Sequence, residues 1–144
     1  MPIPARISLI TLGVTDLARE TAFYQALGWP LSPASVEGEV SFFPTSGGIL
    51  GLWGRDNLAA DAHLPASPPQ PFGGVAHAIN LESPEAVAAA IEAAVAAGGT
   101  LLKAGEATDW GGFSGYFADP DGHLWEVAHN PFWPLDAEGR VQLP

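Results

Sequence analysis

Apolar and polar positions alternate in part through Ile7-Ser8-Leu9-Ile10-Thr11-Leu12-Gly13-Val14, which reads as a half-buried strand. Thr15 or Asp16 supplies an N-cap oxygen, and a helix then runs through Leu17, Phe23, Tyr24 and Leu27. Gly28 stands where the helix end needs a residue that tolerates a left-handed backbone. Strand-like pieces follow around Leu31, over Val40-Ser41-Phe42-Phe43 and over Ile49-Leu50-Gly51-Leu52-Trp53, with Gly47-Gly48 turning the chain before the last. Between Leu64 and Pro71 the prolines exclude a helix and a central strand, because proline fixes φ and has no N–H to donate. Then the pattern starts again. Val75-Ala76-His77-Ala78-Ile79-Asn80-Leu81 reads as a strand and Ser83-Pro84-Glu85 as a capped helix start. Val87, Ile91 and Val95 form one helix face, which ends at Gly98-Gly99. Three strands are expected after it, at Thr100-Leu101-Leu102, Tyr116-Phe117 and Leu124-Trp125-Glu126-Val127-Ala128.

The order strand, helix, three strands therefore occurs twice, at an offset of about 70 residues. This predicts an α+β fold of two βαβββ modules. Residues 5–56 make the first module, 57–73 a Pro-rich linker, 74–130 the second module and 131–144 a C-terminal extension. One such unit leaves an open sheet edge and an uncovered face. Pairing the two curved mixed sheets buries both and encloses a cavity between them. The extended, apolar Asn130-Pro131-Phe132-Trp133-Pro134-Leu135 is expected to cover the sheet or to contact a second subunit.

Two segments carry a family resemblance. Val14-Thr15-Asp16-Leu17 with Phe23-Tyr24-Gln25-Ala26-Leu27-Gly28-Trp29 is similar to an opening V-x-D … F-Y-x-x-L-G signature. Tyr116-Phe117-Ala118-Asp119-Pro120-Asp121-Gly122-His123-Leu124-Trp125-Glu126 is similar to F-x-D-P-D-G-x-x-x-E. Together, over about residues 6 to 130, they resemble the vicinal oxygen chelate superfamily of glyoxalases, bleomycin resistance proteins and extradiol dioxygenases. Taken by themselves these residues report the fold. Phe23, Tyr24 and Leu27 suit the core face of a helix, and Asp119-Pro120-Asp121-Gly122 with His123 suits a tight turn.

What the resemblance implies about chemistry lies in the cavity. Members that use a metal place a ligand on the first and last strand of each module, and the matching positions are Leu9, Gly51, His77 and Glu126. The second module keeps a histidine and a carboxylate, which would serve as a metal half-site or an acid–base pair. The first module offers a leucine and a glycine. A divalent metal in an enzyme generally takes at least three protein ligands. A third would have to come from His63, His129 or Asp109, and His129, three residues past Glu126, falls on the opposite face of the strand. The expectation is thus a small-molecule-binding protein with no cofactor. The alternative is a lyase, isomerase or dioxygenase with zinc, nickel, manganese or iron at His77 and Glu126. Whether the chain is an enzyme stays open, but glyoxalase activity itself is not expected with half the ligands missing.

Aromatic residues support the first reading. Trp53 lies two residues beyond Gly51 and should share its face, while Trp110, Phe113 and Tyr116 are placed to line the cavity or its mouth. Leu9 and Gly51 leave apolar room for a planar or apolar organic ligand. Charge narrows the partners further. Sixteen acidic and five scattered basic residues give −11, which argues against nucleic acid, since phosphate binding depends on clustered Lys and Arg. With 47% apolar residues the 144-residue chain can build a core, and without cysteine it has no disulfide or thiolate ligand. No apolar run is long enough to span a bilayer and the N-terminus lacks the pattern of a signal peptide, so a cytoplasmic location is expected. The resemblance also implies a homodimer.

Overall fold

Strand β1 (Leu9–Val14) begins two residues later than the apolar run starts, in a computed structural model that describes residues 2–144. Helix α1 (Leu17–Ala26) is capped by Asp16, whose carboxylate accepts the Arg19 N–H at 3.0 Å. Gly28, with φ 91°, then takes the left-handed turn that ends the helix. Strands β2 (Val40–Thr45) and β3 (Gly48–Gly54) complete the first sheet. The strand expected near Leu31 does not form. Pro30 and Pro33 withhold two backbone donors and Ser32 caps its own turn, so this segment meets the sheet through the Ser32 N–H to Phe42 O, the Ser35 hydroxyl accepting the Phe42 N–H, and a Val36–Val40 bridge.

A short helix, α2 (Arg55–Asp61), follows β3 and occupies the start of the segment read as linker. The prolines come after it, and residues 64–71 form neither helix nor strand. The second unit then runs through β4 (Ala76–Asn80), α3 (Pro84–Ala96), β5 (Thr100–Ala107), β6 (Phe113–Ala118) and β7 (Leu124–His129). Ser83 caps α3 by accepting the Ala86 N–H at 3.0 Å, with Pro84 in the first turn.

The architecture is α+β with two mixed sheets, of order β1-β3-β2 and β4-β7-β6-β5. In each, the first strand of the unit pairs in parallel with its last, and the registers match: Thr11 stands opposite Gly51 as Ala78 stands opposite Glu126. The sheets do not close into a barrel, so β1 and β4 each end their sheet as a free edge.

One core nevertheless spans both units. Phe23 and Tyr24 of α1 lie fully buried against Phe117 and Trp125 of the second sheet. The Tyr24 hydroxyl donates to Asp119 at 2.7 Å and accepts from the Trp125 indole at 3.0 Å, so its polar atom is satisfied in an apolar setting. Asp119 also accepts the Asp121 and His123 N–H groups, which shapes the Asp119–Gly122 turn. That turn is the seam between the units. Asp121 takes a hydrogen bond from the Thr15 hydroxyl, and a His123 ring nitrogen lies 2.8 Å from Gly13 O.

Glu20 of α1 lies at the same seam with no exposed surface. Neither of its carboxyl oxygens finds a donor, and its neighbour Asp119 is an acceptor. The pair holds together if Glu20 keeps its proton and donates it. Burial first, then Asp119 and Asp121, push the Glu20 carboxyl up to about 9, with only Arg19 opposing.

Candidate functional site

Pairing register decides which side chains can meet, because a shift of one residue turns a strand side chain to the other face. His77 stands opposite Trp125 and shares its face; Glu126 stands opposite Ala78 and shares the other. The expected His77–Glu126 pair is therefore not assembled, either as a metal half-site or as an acid–base couple. The helix caps set the equivalence between the two units. Leu9 lies seven residues before the cap Asp16, and seven residues before the cap Ser83 lies Ala76, not His77. The four positions that match the metal users are Leu9, Gly51, Ala76 and Glu126, and only the last is a donor. His63 sits at the exposed end of α2, Asp109 is exposed on a loop, and a His129 ring nitrogen is held 2.9 Å from Leu81 O. Among the described residues no three His, Asp or Glu side chains converge as a metal site would require. The donor set does not fit an ion.

Glu126 instead faces a partly wet surface, where it accepts a hydrogen bond from the Tyr116 hydroxyl at 3.3 Å. Burial and the Glu126 charge both raise the Tyr116 phenol, so it stays a donor. Glu126→Gln should change stability by no more than about 1 kcal/mol, since an amide oxygen can accept the same bond. Chemical denaturation checks this, and a larger loss would mean that the carboxylate has a partner beyond Tyr116.

His77 belongs to a different setting. Its ring packs 5.0 Å from that of Trp125, which in turn meets Trp29 edge-on at 5.7 Å. Desolvation lowers the imidazole below its ordinary range, against a raising contribution from Leu124 O at 3.3 Å, so the ring is neutral at pH 7. This aromatic group forms part of a groove of about 860 Å3 that opens where the free edges of β1 and β4 face each other. Exposed Ile7, Leu9, Ile10, Ile49 and Val75 supply apolar walls. The volume and mostly apolar lining suit a small organic molecule.

Of the residues expected to contact a ligand, the structure places Leu9 and His77 on this groove. Gly51 and Trp53 share a face of the first sheet as expected, but not the groove wall. A Cβ on Gly51 would meet Thr11 and Phe42, so the glycine makes room for these neighbours as much as for a ligand. Phe113 packs against the core, with its ring against Gly105. Trp110 is exposed on its loop over Gly112, and Tyr116 lies on the face of Glu126. Trp29, Trp125 and Ile79 also line the groove. Their only sequence signal is position: Trp29 follows the α1 stop, and Trp125 alternates with Glu126.

No described helix is long and apolar enough to cross a membrane. No curated protein matches the chain. Among solved structures, a glyoxalase-related enzyme from Fulvimarina pelagi is 39% identical, with TM-score 0.86 over 97% of this chain and 99% of that one. A glyoxalase/bleomycin resistance protein/dioxygenase from Nocardioides is 27% identical, with TM-score 0.73 over 100% and 93%. A lactoylglutathione lyase from Agrobacterium tumefaciens, 22% identical with TM-score 0.67 over 91% and 98%, shares the fold. A profile of the Glyoxalase/Bleomycin resistance protein/Dioxygenase superfamily matches residues 6–127, and the chain belongs to that superfamily.

Proposed function

We propose that this chain binds a planar, largely apolar organic molecule in the groove between its two modules, and that no metal takes part in the binding. The observation that carries this reading is the groove itself, walled by aliphatic side chains and floored by Trp29, Trp125 and a neutral His77. Flat rings favour offset or edge contacts with other rings, and removing the exposed apolar walls from water supplies the rest of the attraction. The lone donor among the four matched positions supports the metal-free half of the proposal.

Naphthalene-2-carboxamide is a suitable neutral probe, followed by quenching of tryptophan fluorescence. Saturable binding of one molecule per chain is expected, unchanged by a chelator. Val75→Trp places a bulky ring on an exposed groove position, two residues before His77 and on its side of the strand, and should abolish it. Absence of saturable binding would sink the proposal. So would binding that a chelator removes and zinc, nickel, manganese or iron restores.

A further inference from the structure

The C-terminal segment lies outside the βαβββ repeat and beyond the family-matched residues 6–127, yet it helps to build the groove. Residues 134–142 fold into a small hairpin. Leu135 bridges Val141, the Asp136 N–H donates to Arg140 O, and the Gln142 N–H donates to Pro134 O. A single carboxylate organises the turn: Asp136 Oδ1 accepts the Glu138 N–H at 2.9 Å and the Arg140 N–H at 2.8 Å. The hairpin is fastened to the first module by Arg140, whose Nε donates to Ser46 O at 2.8 Å.

This fastening holds a guanidinium at the groove wall. Arg140 is the one cationic side chain among the described groove residues, in a chain of net charge −11. Its remaining donors are weakly engaged. One terminal nitrogen lies 3.5 Å from Glu138, and both side chains are more than half exposed, so that contact is readily exchanged. A guanidinium fork anchored through Nε still presents two terminal nitrogens, a geometry suited to a carboxylate. The hairpin thus sets a cation beside an apolar wall.

We propose that the natural ligand is a monocarboxylate with a planar apolar body, its ring over Trp29 and Trp125 and its carboxylate on Arg140. This inference rests on the small-molecule reading above and names the ligand's chemical class. The hairpin then acts as the specificity element of the groove, replacing Glu138 by the ligand's own carboxylate as the partner of Arg140.

A matched pair of probes tests it. Naphthalene-2-carboxylate and naphthalene-2-carboxamide have the same body and differ in charge, and both are read by tryptophan quenching of the full chain. The carboxylate should bind about ten-fold tighter, in keeping with one charge-assisted pair at a partly exposed site. Arg140→Gln should bring the two affinities together. Because that change also removes the Ser46 anchor, Glu138→Gln provides an independent arm. It leaves the anchor in place and frees Arg140, so the preference for the carboxylate should widen a few-fold. Equal binding of the two probes by the wild type, or a preference that survives in Arg140→Gln, overturns the inference and leaves the groove reading standing. Binding of neither probe overturns both.

Discussion

Glu20→Gln is expected to flatten the pH dependence of stability between about pH 5 and pH 9, a range over which the wild-type chain steadily loses stability. The folded protein keeps the Glu20 proton up to about pH 9, whereas the unfolded chain releases it near the ordinary value of 4.5. Between those values folding takes up a proton, so each unit of rising pH costs about 1.4 kcal/mol. The contribution is fully present below the unfolded value and is gone above the folded one. From pH 5 to pH 8 the loss amounts to roughly 4 kcal/mol, an appreciable share of a domain's total stability. Glutamine has nearly the shape of the protonated acid and donates to Asp119 without releasing a proton. The variant should therefore be the more stable protein at pH 9. Urea unfolding of both chains at pH 6 and pH 9 measures it, and parallel slopes would show that Glu20 does not hold the proton. The groups that set the effect are Asp119 and Asp121, which raise the carboxyl, and Arg19, which lowers it.

Gly115→Val should be the most damaging single change in the second sheet. A Cβ there would come within 2.6 Å of Ile91 Cδ1 and of Lys103 O, and within 2.9 Å of the Gly105 nitrogen. The isoleucine can rotate away, but the other two are backbone of β5, whose pairing with β6 shifts register on either side of Lys103. Relief would need the β5–β6 pairing to move. A loss of about 3 kcal/mol or more is expected, seen as a fall in Tm of roughly 10 °C. Gly73→Ala is the natural control, because an added Cβ there meets nothing within 4 Å. A Tm for Gly115→Val close to that of the control would contradict the packing described for this strand.

How far the sequence carries can be judged from particular residues. Both helix starts, the glycine stops and the Asp119–Gly122 turn depend on local chemistry, and each forms where that chemistry puts it. The repeat was legible for the same reason. The site was less so, because His77 and Ala76 are neighbours in a run of small apolar residues, and nothing in that run marks which faces Glu126. The count of seven residues back from the Ser83 cap distinguishes them, and the parallel register with β7 agrees. Trp29 and Trp125 come together through packing between elements far apart in the chain. The groove position of Arg140 depends on a hydrogen bond to Ser46, a contact with no pattern at all. Local rules reach turns and caps; the register and meeting of distant edges lie beyond them.

The seam at the Asp119–Gly122 turn has a consequence for how the chain comes apart. A duplicated sequence suggests two halves that melt separately, yet here Phe23 and Tyr24 of the first half complete the core of the second. The His123 ring and Asp121 of the second half reach back to Gly13 and Thr15 of the first. Neither half holds a finished interior, so loss of one exposes the other. Heat or denaturant should meet a single cooperative unit, with amide protection in α1 and β7 rising and falling together.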